Sequence, residues 1–185
     1  ILLLQTIQMS SAILVMRNSL LKAFRFSPIV LVTSVALDNF INFVITFLLI
    51  ATPAIFLSGV SLQGLLLLPL CMIPVLIGTM ALSLLFSLMN VFLRDTSFVL
   101  SFAFSIFFFL TPIFYPIEYI PLHLRWVVQW NPFYHLIHPF RAAILDFEIM
   151  NFIDVWLKAM MWAAAMVIMS VLYWRKKRNG IYIHL

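Results

Sequence analysis

Long runs without a charge are what most limit how this chain can fold. From Pro28 to Leu57 there is one charged side chain, Asp38, and from Gly64 to Phe92 and from Phe98 to Tyr115 there is none. A helix rises 1.5 Å per residue, so about 20 residues cross the roughly 30 Å hydrocarbon core of a bilayer. Backbone groups left unpaired in lipid cost several kcal/mol each, so such runs are predicted to be helices. Composition agrees: 65% of residues are hydrophobic and 9% charged. Soluble domains run at roughly 45–50% and about 25%, and a soluble fold of this length has no interior large enough for the excess.

Five stretches qualify as spans: Ile1–Met16, Pro28–Leu57, Gly64–Phe92, Phe98–Tyr115 and about Phe152–Trp174. The expected fold is all-α, a polytopic membrane helical bundle forming one domain over residues 1–185. Ile1–Met16, which includes Gln5, Thr6, Gln8, Ser10 and Ser11, reads as the tail of a span that begins upstream. No basic stretch precedes it and no small-residue cleavage site follows, so it does not read as a signal peptide. Ser58–Gln63 is a short turn.

Pro116–Met150 differs in kind. It holds Pro116, Pro121, Pro132 and Pro139, aromatics at Tyr119, Trp126, Trp130 and Tyr134, and charges at Glu118, Arg125, Arg141, Asp146 and Glu148. Proline stops helices and aromatic rings favour the headgroup zone. Two short re-entrant or interfacial helices are expected before the last span, near Leu122–Trp130 and Phe133–Leu145, on the outer side.

Basic residues orient the bundle. Arg17, Lys22, Arg25, Arg94, Arg175, Lys176, Lys177 and Arg178 fall on one side, against Arg125, Arg141 and Lys158 on the other. The first side, with the tail 175–185, is expected in the cytoplasm. The net charge of +5 is read as this bias and not as a nucleic-acid surface. A lone cysteine, Cys71, leaves no internal disulfide to form.

No phosphate-binding G-x-x-x-x-G-K-[ST], H-E-x-x-H, G-x-S-x-G or C-x-x-C occurs. His135 and His138 share a helical face, but without a thiol or carboxylate beside them they read as interfacial polar groups, and no metal site is expected. Asp38 lies about 15 Å into its helix. Such a carboxyl faces a bundle interior or a water-filled path, either as a proton relay or, preferably, bonded to neighbours such as Asn39 and Asn42. Arg17–Pro28 sets Arg17, Lys22 and Arg25 among Leu20, Leu21, Phe24 and Phe26. It reads equally as a connecting loop with snorkelling cations and as a docking helix. Asp95 reads as a cap for the following helix, and with Arg94 as an alternative gate latch.

N-V-F-L-R-D at 90–95, L-T-P-I-F-Y-P at 110–116 and W-N-P-F-Y-H-L-I-H-P-F-R-A-A-I-L at 130–145 stand in a familiar order. Together they resemble the membrane subunit of type-2 ABC exporters, nearest the branch that moves O-antigen, capsule or teichoic-acid chains. The resemblance runs from N-S-L-L-K at 18–22 to the basic tail. It implies six spans in an intact member, about five of them present here, and a homodimer around a central path.

It also implies a separate ATP-binding ABC subunit carrying ATP and magnesium, with no cofactor in this chain. The cargo would be polysaccharide or lipid-linked glycan, and the site a bacterial inner membrane. Coupling to the ATPase would fall to Arg17, Asn18, Leu21, Lys22, Phe24 and Arg25. Asn90, Arg94 and Asp95 would form a cytoplasmic gate. Asp38, Phe107, Phe108, Phe114 and Tyr115 would line the path. Pro116, Trp130, Asn131, Pro132 and Arg141 would belong to the outer re-entrant segment. F-R-F-S-P at 24–28 departs from the family's F-P-R, and Pro139 is expected to interrupt the segment before Arg141. A drug-efflux permease of related architecture and a membrane-embedded enzyme using Asp38, His135 and His138 are the alternatives.

Overall fold

A computed structural model describes residues 2–17, 19, 27–58, 62–112, 119–144 and 147–178. Its regular elements among these are all helical. They run α1 (Leu2–Met16), α2 (Pro28–Ser58), α3 (Leu62–Leu66), α4 (Leu68–Phe92), α5 (Thr96–Leu110), a 3-10 turn (Leu122–Leu124), α6 (Arg125–Gln129), α7 (Pro132–Ile144) and α8 (Ile149–Lys177). Pro28–Ile50, Gln63–Phe92 and Ile149–Lys177 are long and apolar enough to cross a membrane, and Leu3–Met16 and Thr96–Leu110 are shorter apolar helices. The chain is an all-α membrane bundle.

The fourth apolar run ends sooner than its hydropathy predicts. Helix α5 stops at Leu110, and Thr111 is extended at φ −84°, ψ 120°. Pro112 explains this, because a proline ring disfavours the helical region for the residue before it. Fifteen residues make α5 about 22 Å long, short of the hydrocarbon thickness. Pro139, by contrast, does not interrupt its segment: α7 runs through it to Ile144 with Pro139 buried. Of the expected turn Ser58–Gln63, Ser58 ends α2, Leu62 and Gln63 begin α3, and residues 59–61 lie outside the described residues.

Helix α4 is the hub, packing against α1, α2, α5, α7 and α8. Its inward positions include the small residues Gly78, Thr79, Ala81, Ser83 and Ser87, which let neighbouring backbones approach. Three apolar clusters line up along it. Leu14, Val32, Leu88 and Val91 pack at the end where Arg17, Arg94 and Arg175 gather, called here the basic end. Leu3, Ile7, Val75, Leu82, Phe104 and Met166 fill the middle. Leu68, Cys71, Ala142, Ala143 and Phe152 close the opposite end.

A Cβ added at Gly78 would stand 3.0 Å from Leu136 Cδ1 and 3.2 Å from Met166 Sδ. Both atoms end flexible side chains, so Gly78→Ala is expected to cost about 1 kcal/mol and Gly78→Val about 2–3 kcal/mol. Unfolding by SDS in mixed micelles measures this, and equal stabilities for the three proteins would contradict the packing.

Candidate functional site

Two buried asparagines tie the bundle together at opposite ends of α5. At the basic end, Asn90 lies in the last turn of α4 and is only 4% exposed. Its Nδ2 donates to the Ser11 carbonyl of α1 at 3.0 Å, and its Oδ1 accepts the Ser97 N–H at 3.2 Å. The first N–H groups of a helix have no partner within it, so Asn90 completes the start of α5 while holding α1.

That role was expected of Asp95. Asp95 does stand at the N-cap position, but its backbone is helical (φ −80°, ψ −5°) and its side chain makes no capping bond. Asp95 and Arg94 are both exposed, and among the described residues they join neither each other nor another side chain. The cap is supplied instead from seven residues upstream, across the turn. Nearby, the Lys177 ammonium sits 4.8 Å above the Phe92 ring, fastening α8 to α4 by a cation–π contact.

At the far tip of α5, Asn131 is 3% exposed and Thr111 4%. Asn131 Nδ2 donates to Thr111 Oγ1 at 2.9 Å, and the Thr111 hydroxyl donates in turn to the Phe107 carbonyl at 2.7 Å. Asn131 Oδ1 accepts the Phe133 N–H at 3.0 Å, capping α7 just after Pro132 at its first position. Arg141, two turns further along α7, donates from Nη1 to the Pro112 carbonyl at 3.0 Å. The T-P and N-P motifs are thus clamped to each other by Asn131 and Arg141. Thr111 and Ser11 were missed as site residues. A polar residue immediately before a proline, inside an apolar run, was the available signal for Thr111; Ser11 contributes only a carbonyl and left none.

Aromatic rings surround this junction. Phe107 packs on Phe133 with centroids 5.5 Å apart, and Phe104 meets Phe133 edge-on at 6.0 Å. Phe107 and Phe108, with Leu3, Leu4, Thr111, Phe133 and Ile137, line a small cleft between α1, α5 and α7. Trp130, largely exposed, meets Trp162 edge-on, and His135 stacks on Trp162 at 5.7 Å while its Nε2 contacts the Gln129 carbonyl at 2.7 Å. His138 stacks on Tyr134 at 4.8 Å. Burial, helped by His135, Arg141 and Lys158, holds the His138 imidazole below its ordinary range, so it is neutral at neutral pH. Both histidines are occupied with rings and a carbonyl.

Asp38 does not behave as expected. It is exposed on α2 and bonds neither Asn39 nor Asn42; Asn39 Nδ2 instead reaches the Val35 carbonyl at 3.1 Å. Arg17 follows α1 in an exposed turn. Asn18, Leu21, Lys22, Phe24, Arg25, Phe114, Tyr115 and Pro116 lie outside the described residues.

Comparison with known proteins bears on the same segments. The family described as ABC-2 type transporter matches residues 1–145. Two O-antigen export system permease proteins RfbA of Klebsiella pneumoniae are similar to this chain, at 32% and 31% identity over 78 residues. Each match covers 42% of this chain and 30% of the relative, so less than a third of those proteins' length is represented.

Proposed function

The chain belongs to the ABC-2 type transporter family, and on that premise we propose that it is the permease part of an ATP-driven exporter of polysaccharide or lipid-linked glycan. Two copies flank a central path in a bacterial inner membrane, and a separate ABC subunit binds ATP and magnesium. The permease itself is not the enzyme. Its basic end, with the tail 175–185, faces the cytoplasm, in keeping with the one-sided lysines and arginines.

The observation that carries this reading is the pair of asparagine junctions on α5, the helix that also bears Phe107 and Phe108. Residues 17–28 join α1 to α2, and there the ATPase docks through Arg17, Asn18, Leu21, Lys22, Phe24 and Arg25. A push on that stretch moves α1. Asn90, bonded to the Ser11 carbonyl and the Ser97 N–H, hands the displacement to α4 and α5. At the other tip, Thr111 passes it to Asn131 and so to α7, whose Arg141 holds Pro112. Asn90, Arg94 and Asp95 act as the cytoplasmic gate. The segment with Pro116, Trp130, Asn131, Pro132 and Arg141 closes the outer mouth. Phe107, Phe108, Phe114 and Tyr115, with Asp38, line the path, their rings offering flat apolar faces to sugar C–H groups.

A hydrophilic glycan gains nothing from the hydrocarbon, so the work must come from the partner subunit. Charge reversal of the docking stretch, Lys22→Glu with Arg25→Glu, is expected to cut export about tenfold or more, because opposed charges at an interface lose their attraction and repel. The test is purification in mild detergent followed by identification of the accompanying ATPase. Normal ATPase capture and export by the doubly reversed protein would sink the docking assignment. Stimulation of the captured ATPase by lipid-linked glycan, and not by small amphiphiles, distinguishes glycan export from drug efflux.

A further inference from the structure

The open face of the α1–α2 pair carries four polar side chains that no described residue satisfies. Gln5 and Gln8 of α1 and Asp38 and Asn42 of α2 are exposed, and among the described residues their side chains make no hydrogen bond or ion pair. The exposed hydroxyls of α2 behave differently. Ser34, Thr46 and Thr52 each return theirs to a carbonyl of the preceding turn. A hydroxyl paired in this way is tolerated against lipid, whereas a carboxyl or a primary amide is costly there.

Helix geometry puts the four on one side. Asn39 Nδ2 meets Met9 Sδ at 3.9 Å, which sets the register of these antiparallel helices. One turn further from the basic end, Gln5 on α1 and Asn42 on α2 therefore stand level. Both helices bury their other faces on α4, α1 through Ile7 and Leu14 and α2 through Val32 and Ala36. At 1.5 Å per residue, the strip lies about 12 Å (Gln8) to about 21 Å (Asn42) from the basic end, the middle of a roughly 30 Å hydrocarbon layer. Beyond the other edge of α1, Leu3 and Leu4 meet Phe107 and Phe108 in the cleft described above. The polar strip thus runs from Asp38 and Asn42 on α2 across Gln5, one turn from Met9, to Gln8, one turn from Leu4 on the α5 flank where the aromatic rings stand.

We infer that Gln5, Gln8, Asp38 and Asn42 form a hydrated strip of the translocation path that binds the hydroxyl groups of the cargo. Each amide donates and accepts, as a hydroxyl does, so the strip holds a hydroxyl-rich chain without selecting one sugar. Phe107 and Phe108 supply the apolar half of the same contact. This deepens the proposed function and rests on its glycan cargo. Gln5, Gln8 and Asn42 are added to Asp38 as path residues.

Thiol chemistry tests it in cells carrying the natural gene with Cys71→Ser. Gln8→Cys and Asn42→Cys are expected to react with a charged methanethiosulfonate about tenfold or more faster than Phe102→Cys, on the outward face of α5, because only a hydrated thiolate attacks. The combined Gln5→Ala, Gln8→Ala, Asn42→Ala protein is expected to export glycan about tenfold less while capturing the ATPase normally, each lost contact being worth a few-fold. Slow labelling of both cysteines overturns the inference. If slow labelling comes with a Gln8→Cys or Asn42→Cys disulfide between copies, the strip is a seam between two chains. Undiminished export by the triple variant also overturns the cargo role. Fast labelling with no ATPase captured by the parent protein removes the exporter reading and leaves the hydrated strip in place.

Discussion

Asn131→Ala is expected to destabilise the bundle by about 2 kcal/mol, from a lost helix cap of about 1 kcal/mol and a buried bond of similar worth. The variant removes the donor to Thr111 and the acceptor of the Phe133 N–H, which is left buried with no partner. Hydrogen bonds between membrane helices average nearer 0.6 kcal/mol, so the cap is expected to be the larger share. Asn131→Asp keeps an acceptor for Phe133 and isolates that share. Thr111→Val removes the other partner while Phe107 merely loses a second bond to its carbonyl. In a double-mutant cycle, Thr111→Val and Asn131→Ala should couple by about 0.5–1 kcal/mol. Additive effects in SDS unfolding would show that the two side chains do not work as a pair. Export should fall further than stability alone accounts for, because α7 loses its polar attachment to the tip of α5 and keeps the Arg141–Pro112 bond and the Phe133 ring contacts.

Asn90→Leu, close to Asn90 in size, should have a comparable cost and a different signature. It strands the Ser97 N–H in a part-buried position and removes the bond to the Ser11 carbonyl. The expected loss is about 2 kcal/mol, mostly the penalty for the stranded donor. Its local mark is faster amide exchange at Ser97, by about tenfold, reflecting easier opening of the first turn of α5. Asn90→Asp keeps the acceptor and should protect that amide while still loosening α1. ATPase activity that no longer responds to cargo, in a variant that still captures the ATPase, is the outcome expected of a broken transmission joint. Unchanged exchange at Ser97 would show that Asn90 does not cap α5.

Asp95 and Asn90 illustrate how far local signals reach. A cap is usually sought one residue before the helix it serves, and by that rule Asp95 was the choice. The turn after α4 instead folds α5 back so that a side chain seven residues upstream reaches Ser97. Asp38 makes the complementary point. Its sequence neighbours include two asparagines, yet Asn39 turns to Val35 and Met9, and Asn42 shares the open face with Asp38. Proximity along a helix did not decide the pairing, because competing carbonyls and a neighbouring helix were within reach.

Hydropathy alone was enough to establish that the chain is a helical membrane bundle and roughly where each helix lies. The cost of an unpaired peptide group in lipid depends on the chain's own backbone, and a charge-free run of sufficient length leaves few other solutions. Even the early end of α5 was written in Pro112, although the apolar run past it masked the stop. Which polar groups meet could not be read the same way. Asn90 reaches a carbonyl 79 positions away, Arg141 one 29 away, and Asn131 a hydroxyl 20 away. Hydrogen bonds need partners within about 3 Å, and only packing around α4 fixes such distances between helices.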